Sequence, residues 1–447
     1  MSKKTIGIYS PNFFNILKRI VMKNLILSII FINSLLISAQ NSRGISDETN
    51  WTKNWTNFKP KTTDYNESSN ILSGQIDKNT TLFKNNIYLL TGMVYVTNGA
   101  VLTIEPGTVI KGDYETNATL VVTKGSKIIA EGQEANPIIF TSNRPNSQRK
   151  SGDWGGVIIF GDAPINKFGS IGQVNLDLDS KYNIYGGNNF DSNSGILKFV
   201  RIEFAGKKIG AGKIQNSLYI AGVGSKTTLE NIQISYSNND SFVCNGGQVT
   251  LKNLISFRSN GNDYLFTEGA QVNISNSLAV KNQYFTNPGK SRCFNVESYD
   301  VKSNADLTKK LTNVVATNVT LLNEENDNLG LIREAIFVKE NASFTMNNSI
   351  ISGFNQCLLL DAKIKADYEN LDRIKFNDVL FNNCTSYIES EFAENNVALK
   401  SWYSNDKFYI GYSKMDNANF FLENDVKKIP DFRIKKDKNS GSRLAAK

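Results

Sequence analysis

The segment Met93 to Asn143 carries one pattern twice, and that duplication restricts the fold more than any other feature of the chain. Val94, Val96, Thr97, Gly99, Leu102, Ile104 and Glu105 recur at a constant offset of 26 residues as Leu120, Val122, Thr123, Gly125, Ile128, Ala130 and Glu131. Each copy is two short alternating strands broken by a glycine turn. A unit of that length buries its apolar side only by stacking on a neighbour, so the pattern predicts consecutive rungs of a parallel β-solenoid. From Thr228 the repeat returns. Thr228, Thr250 and Asn273 open successive units at offsets of 22 and 23, with Asn231, Asn253 and Asn276 at one place in each, and Asn348 and Asn377 follow at 29. Asparagine tolerates left-handed backbone and can bond its counterpart one rung away, so a turn with an amide ladder is expected there.

Taking a rung as about 22 to 32 residues, Val94 to Cys384 makes roughly ten to twelve turns, a rod on the order of 50 Å. The expected organisation is all-β. It comprises a signal region at 1–39, an N-terminal cap at 40–90, the solenoid at 91–385, a partly helical C-terminal cap at 386–426 and a basic tail at 427–447. Trp51, Trp55, Phe58 and Tyr65 lie in the first cap, where a solenoid needs its open core covered; the other use for the two tryptophans is a sugar-stacking platform. The Gly-rich insertion Phe168 to Gly195 is long enough to be a functional loop.

Charge and targeting narrow the function classes. The net charge is +8, but residues 1–39 hold five cations and no acid, and 427–447 hold eight cations against two acids, which leaves the body at −3. A nucleic-acid partner therefore loses its support. Leu25 to Ile37 is an apolar run of 13 residues, preceded by Lys23 and followed by Ser38, Ala39 and Gln40. That is the pattern of a secretory signal peptide, too short for a membrane span, and it leaves no transmembrane segment after cleavage. Met22 directly precedes the charged residue, so the start codon at Met22 is the alternative to a long leader.

Histidine is absent, which removes histidine-dependent nucleophile systems, acid/base work by imidazole and two-histidine zinc motifs. Of the four cysteines, Cys244, Cys293, Cys357 and Cys384, the last two lie 27 apart, close to one rung. They either bridge adjacent rungs or, like the other two, serve as buried small apolar residues.

Asp240 and Asp263 are 23 apart, and Gly246/Gly269, Gln248/Gln271 and Val249/Val272 keep that offset, so the two carboxylates are expected to stack on adjacent rungs. Such a pair calls for a cation or a shared proton, and Ca²⁺ would accept the carboxylates together with the neighbouring amides of Asn239 and Asn262. The plainer alternative is a pair of Asx turns. A lyase would use the carboxylates against a uronate with Arg201 or Arg258 as base. Asn188, Asp191 and Asn193 are a second set of oxygen ligands for Ca²⁺, although the glycine at Gly195 comes one residue early for an EF-hand loop. Gly222 to Thr228 lacks the glycine before Lys226 that a phosphate loop requires, and Glu105 and Glu131 are solvated corner residues.

Trp51-Thr-Lys-Asn-Trp55-Thr-Asn-Phe58, Leu102-Thr-Ile-Glu-Pro-Gly-Thr-Val-Ile-Lys-Gly112, Glu131-Gly-Gln-Glu-Ala-Asn-Pro-Ile-Ile-Phe-Thr-Ser142 and Gly152-Asp-Trp-Gly-Gly156 together resemble a large family of exported or lipid-anchored bacterial proteins of mostly unassigned function. Tyr185-Gly-Gly187, Val200-Arg-Ile-Glu-Phe-Ala-Gly206, Gly222-Val-Gly224 and Asp240-Ser-Phe242 extend the resemblance, which covers about residues 51 to 270. It implies a right-handed parallel β-helix at the cell surface, often exported by the type IX route, and brings no catalytic residues. The family's dense acidic cluster around Asp240 is here mostly amides and apolar residues, which implies weakened or lost ion binding. Its C-terminal sorting module is not recognisable. The leading expectation is a secreted or surface solenoid that binds glycan or another extracellular partner without turnover. The alternatives are a polysaccharide lyase or glycoside hydrolase, and a structural or adhesion element of the envelope.

Overall fold

The computed structural model describes residues 43–45, 50–287, 291–324, 330–404 and 409–435. The expected signal region at 1–39, with the alternative start at Met22, and the end of the basic tail at 436–447 lie outside the described residues.

Three parallel faces are wound by one repeating path. In a representative rung, Leu218–Ala221 lies on the third face, Thr228–Ser235 supplies the first and then the second, and Phe242–Asn245 returns to the third. The corner inside Thr228–Ser235 is a single residue, Asn231, at φ 53°. One left-handed residue breaks the ladder for one position and redirects the strand, which is why an amide side chain recurs there. Asn253 and Asn276 occupy the same corner at φ 55° and 48°, and Asn276 Nδ2 donates to Asn253 Oδ1 at 2.8 Å.

The opening repeat pairs in the register its spacing predicts, with Val94 opposite Leu120, Val96 opposite Val122, Leu102 opposite Ile128 and Ile104 opposite Ala130. Leu229 pairs with Leu251 and Thr250 with Asn273. The later rungs differ by one residue from expectation. Asn377 pairs with Asn347 and donates to its Oδ1 at 2.8 Å, while Asn348, at φ 47°, shares its corner with Asp378. An all-β parallel β-helix solenoid is thus the fold.

Inside, apolar columns run through the rungs, and aromatic rings stack along one of them: Phe242 on Tyr264 at 5.3 Å and Tyr264 on Phe294 at 5.0 Å between centroids. Beside Trp154 the paired glycines Gly155 and Gly156 sit where backbone crowds in. A Cβ on Gly156, at φ 127°, would meet the carbonyl oxygen of Asn216 at 2.4 Å. Only glycine lets these backbones approach.

Strands start before the expected boundary at residue 91, with Asn70–Ile76, Thr80–Leu82 and Ile87–Val96. The first of these is mostly solvent-exposed, so its sequence needs no apolar alternation and shows none. The aromatic segment before it covers a side rather than an end. Trp55 is fully buried against Phe199, and Phe58 packs edge-on to Phe257 at 5.0 Å, on the outer surface of the second face. Burial excludes Trp55 from service as a sugar platform. The same surface receives the antiparallel pair Phe421–Glu423 and Asp431–Ile434, whose Phe421 and Phe432 are fully buried. Residues 427–435 are therefore built structure rather than solvated tail. At the far end Ser386–Ser390 and Tyr409–Ser413 continue the stack beyond 385, and the helix Asn395–Tyr403 buries Leu399 against the core. Among the described residues no helix is long and apolar enough to cross a membrane.

All four cysteines are free. Cys244, Cys293 and Cys357 are buried, and Cys384 is half-buried beside Cys357 and donates toward the Asn382 carbonyl oxygen at 3.3 Å.

Candidate functional site

The two carboxylates singled out by spacing do not stack. On the third face the register is Phe242 to Tyr264, an offset of 22, which sets Asp240 opposite Asn262 and Ser241 opposite Asp263. The offset of 23 seen at Gln248 and Gln271 arises after that strand, where the second rung has one extra residue in its turn. Asp240 Oδ1 accepts from Asn262 backbone N at 2.7 Å and Asn262 Nδ2 at 2.9 Å. Asp263 is fully buried, accepts from Ser256 Oγ at 2.5 Å, and has the Lys281 ammonium 3.4 Å from its Oδ2. Burial pushes the Asp263 carboxyl above the usual carboxylate range, against the pull of Lys281, Ser256 and Cys293.

The two candidate bases are also elsewhere and engaged. Arg201 lies under the N-terminal segment, donating to the Tyr65 hydroxyl at 3.1 Å beside the buried Glu203. Arg258 forms a two-pronged pair with Glu324 at 2.7 and 3.1 Å. Of the second set of oxygen ligands, Asp191 pairs with Lys226 at 3.2 Å and accepts from Ser225, while Asn193 Oδ1 accepts from Gly195 N in an Asx turn. Asp191 and Asn193 are thus each engaged with other partners, while Asn188 lines a pocket with Phe190. Among the described residues no group of three or more Cys, Asp or Glu side chains is arranged to hold a metal ion.

What the structure does assemble is a pocket of about 340 Å³ where two insertions meet at the corner leaving the third face. The first insertion follows Gly156–Phe160 and lies across the outer surface of the third face, burying Tyr185 against Phe160 and Val174 beside Tyr219 and Val243. The second precedes Asn313–Thr317 and stretches one rung so far that Gln271 pairs with Asn313. Their junction brings Ile165, Asn188 and Phe190 against Gln271, Lys309 and Lys310, over a floor of Gly247 and Gly269. Phe190 is 49% exposed, and the Lys310 ammonium sits 5.3 Å from its ring centroid.

The pocket rests on an ordered polar base. Lys167 pairs with Glu268 at 2.7 Å, and the Tyr185 hydroxyl donates to Glu268 at 2.5 Å. Burial, then the neighbouring Tyr219 and Glu268, raises the Tyr185 phenol far above its usual range, so it remains a donor at any physiological pH. Lys309 donates to the Lys167 carbonyl at 2.9 Å and to Ser170 Oγ at 2.6 Å. Among the described residues neither Lys309 nor Lys310 forms a close ion pair, although the Lys309 charge acts on the neighbouring Asp306, so the positive charge at the rim is carried chiefly by Lys310. A concave, partly apolar site with a cation and amides suits a ring bearing an anionic group.

Asn188 is the only one of the candidate ligand residues that lines this pocket among the described residues, although Gly269 and Gln271 also belong to the repeat at offset 23. Phe190, Lys309 and Lys310 carry no motif, and their only sequence signal is that both insertions interrupt the rung length. No curated protein and no solved structure matches the chain. Residues 74–415 match the pectate-lyase-like β-helix domain, a stretch that runs from within the first strand to the last rung strand, and the chain belongs to that family.

Proposed function

We propose that this β-solenoid is an exported protein that binds acidic glycan in the pocket between Phe190 and Lys310, without turnover. The observation that carries the reading is the Lys310 ammonium, held over an exposed aromatic ring at the mouth of the cavity and unpaired with any described carboxylate. A uronate would place its carboxylate at Lys310 and its ring face at Phe190, and the amides of Asn188 and Gln271 would meet its hydroxyls. Family membership supports a carbohydrate-related role and also favours a second reading, in which a polyuronate is cleaved by β-elimination.

The test is retention of polygalacturonate on immobilised protein, with and without calcium, with ultraviolet absorbance scored for unsaturated ends. Retention without product is expected, and Lys310→Glu is expected to weaken it about tenfold or more, the equivalent of one lost charge-assisted contact. Unsaturated product from the wild-type protein would overturn the non-enzymatic reading. Retention indifferent to Lys310→Glu and Phe190→Ala would overturn this site.

A further inference from the structure

A second pocket, of about 440 Å³, opens on the outer side of the later rungs and has the opposite chemistry. It is lined by carboxamides and carboxylates, including Asn323, Asn383, Asp416 and Asn424, with Glu324 at one wall and Tyr284 at the rim; among the described residues no lysine or arginine lines it. Each group is positioned by a different part of the fold. Asn323 ends the strand Thr320–Asn323 of the second face; Asn383 occupies a left-handed corner at φ 49°; Asp416 and Asn424 come from the C-terminal segment that wraps this side.

Two observations point to a ligand. Asn323 is 99% buried, its Nδ2 donates to the Gly353 carbonyl at 3.0 Å, and its Oδ1 is an acceptor with no partner among the described residues. A buried amide oxygen left unmatched is costly, on the order of 1–3 kcal/mol, and natural structures retain few. Asn417, by contrast, is fully tied down by Ser352 and the Asn323 carbonyl at 2.7 and 2.9 Å, which fixes the wall rather than offering a free group. Tyr284 is 67% exposed and presents its ring beside these amides.

We infer that this pocket is a binding site for a neutral sugar, separate from the cationic pocket at Lys310. Amide and carboxylate oxygens accept from sugar hydroxyls, amide nitrogens donate to them, and an exposed phenol ring packs on the C–H face of a pyranose. The charge decides against an acidic sugar. Glu324 is neutralised by its two-pronged pair with Arg258 at 2.7 and 3.1 Å, whereas Asp416 faces the pocket with no cation paired to it among the described residues and would repel a uronate. The inference extends the carbohydrate-binding reading but does not depend on the first pocket.

The experiment measures retention of neutral glucan, mannan and galactan on the purified protein, in parallel with polygalacturonate. Tyr284→Ala and Asp416→Ala alter exposed side chains, and unchanged thermal unfolding verifies the fold. Retention of at least one neutral polymer is expected, weakened about tenfold or more by each substitution and unaffected by Lys310→Glu. Failure to retain any of the three, or retention indifferent to both substitutions, overturns the inference. Loss of polygalacturonate binding alone in Lys310→Glu, with neutral binding intact, separates the two sites. Neutral retention that vanishes on chelation with EDTA would assign the oxygens to a cation and equally overturn it.

Discussion

Removing the ammonium of Lys281 should destabilise the middle rungs in a way that depends on pH with a definite sign. Lys281 and Asp263 are both fully buried, and the ammonium also donates to the backbone carbonyls of Ser259, at 3.2 Å, and Gly261. Lys281→Met keeps most of the volume but strands the carboxylate, which costs about 3–5 kcal/mol when one partner of a buried pair is lost. The two deprived carbonyls add about 1 kcal/mol or more. The carboxyl, already raised by burial, then has no cation to hold it down and takes up a proton on folding. The folded state thus binds more protons than the unfolded one, so stability falls as pH rises above the unfolded carboxylate value, by about 1.4 kcal/mol per pH unit, until the folded group ionises. The variant should be closest to wild type near pH 4 and furthest from it near neutrality, by about 4 kcal/mol. Because rungs contact only their neighbours, hydrogen exchange across residues 254–296 is the direct assay, with urea unfolding at several pH values beside it. Asp263→Asn added to Lys281→Met should recover a large part of the loss. A loss that is the same at pH 4.5 and 7.5, or a double variant no better than the single, would refute the reasoning.

The corner amides and the thiols give two further tests. Asn253 sits at φ 55° and shares a hydrogen bond with Asn276, so Asn253→Ala should cost about 1–2 kcal/mol more than Asn253→Gly, because only alanine adds the left-handed strain; equal unfolding midpoints would contradict this. Burial pushes the Cys244 thiol up to about 12 and the Cys357 thiol well above its usual range, whereas the hydrogen bond from Cys357 holds half-buried Cys384 below its own. A thiol reagent near pH 8 should therefore modify Cys384 first and reach the other three only on unfolding, and fast native modification of Cys244 would contradict the burial argument.

The fold was legible because a solenoid writes its geometry locally. Each rung repeats the same inward columns, so Val94/Leu120 and Leu102/Ile128 appear as a spacing, and left-handed corners appear as asparagines at Asn231, Asn253 and Asn276. The same arithmetic misled at Asp240 and Asp263. A single extra residue in one turn left the spacing intact downstream and shifted the register upstream, and sequence offsets carry no mark of where in the rung an insertion falls.

Sequence by itself determined the repeat, the parallel stacking and the columns that face inward, since these follow from which residues recur at rung distance. Tertiary structure alone decided what lies outside the columns. Trp55 and Phe432, 377 positions apart, cover one outer surface together; Phe190 meets Lys310, and Asn323 meets Asn417, only because two insertions and the C-terminal segment fold back across the rungs. Those juxtapositions join residues with no periodic relation, so no local pattern encodes them. They form where apolar outer surfaces, left bare by the winding of the chain, had to be covered.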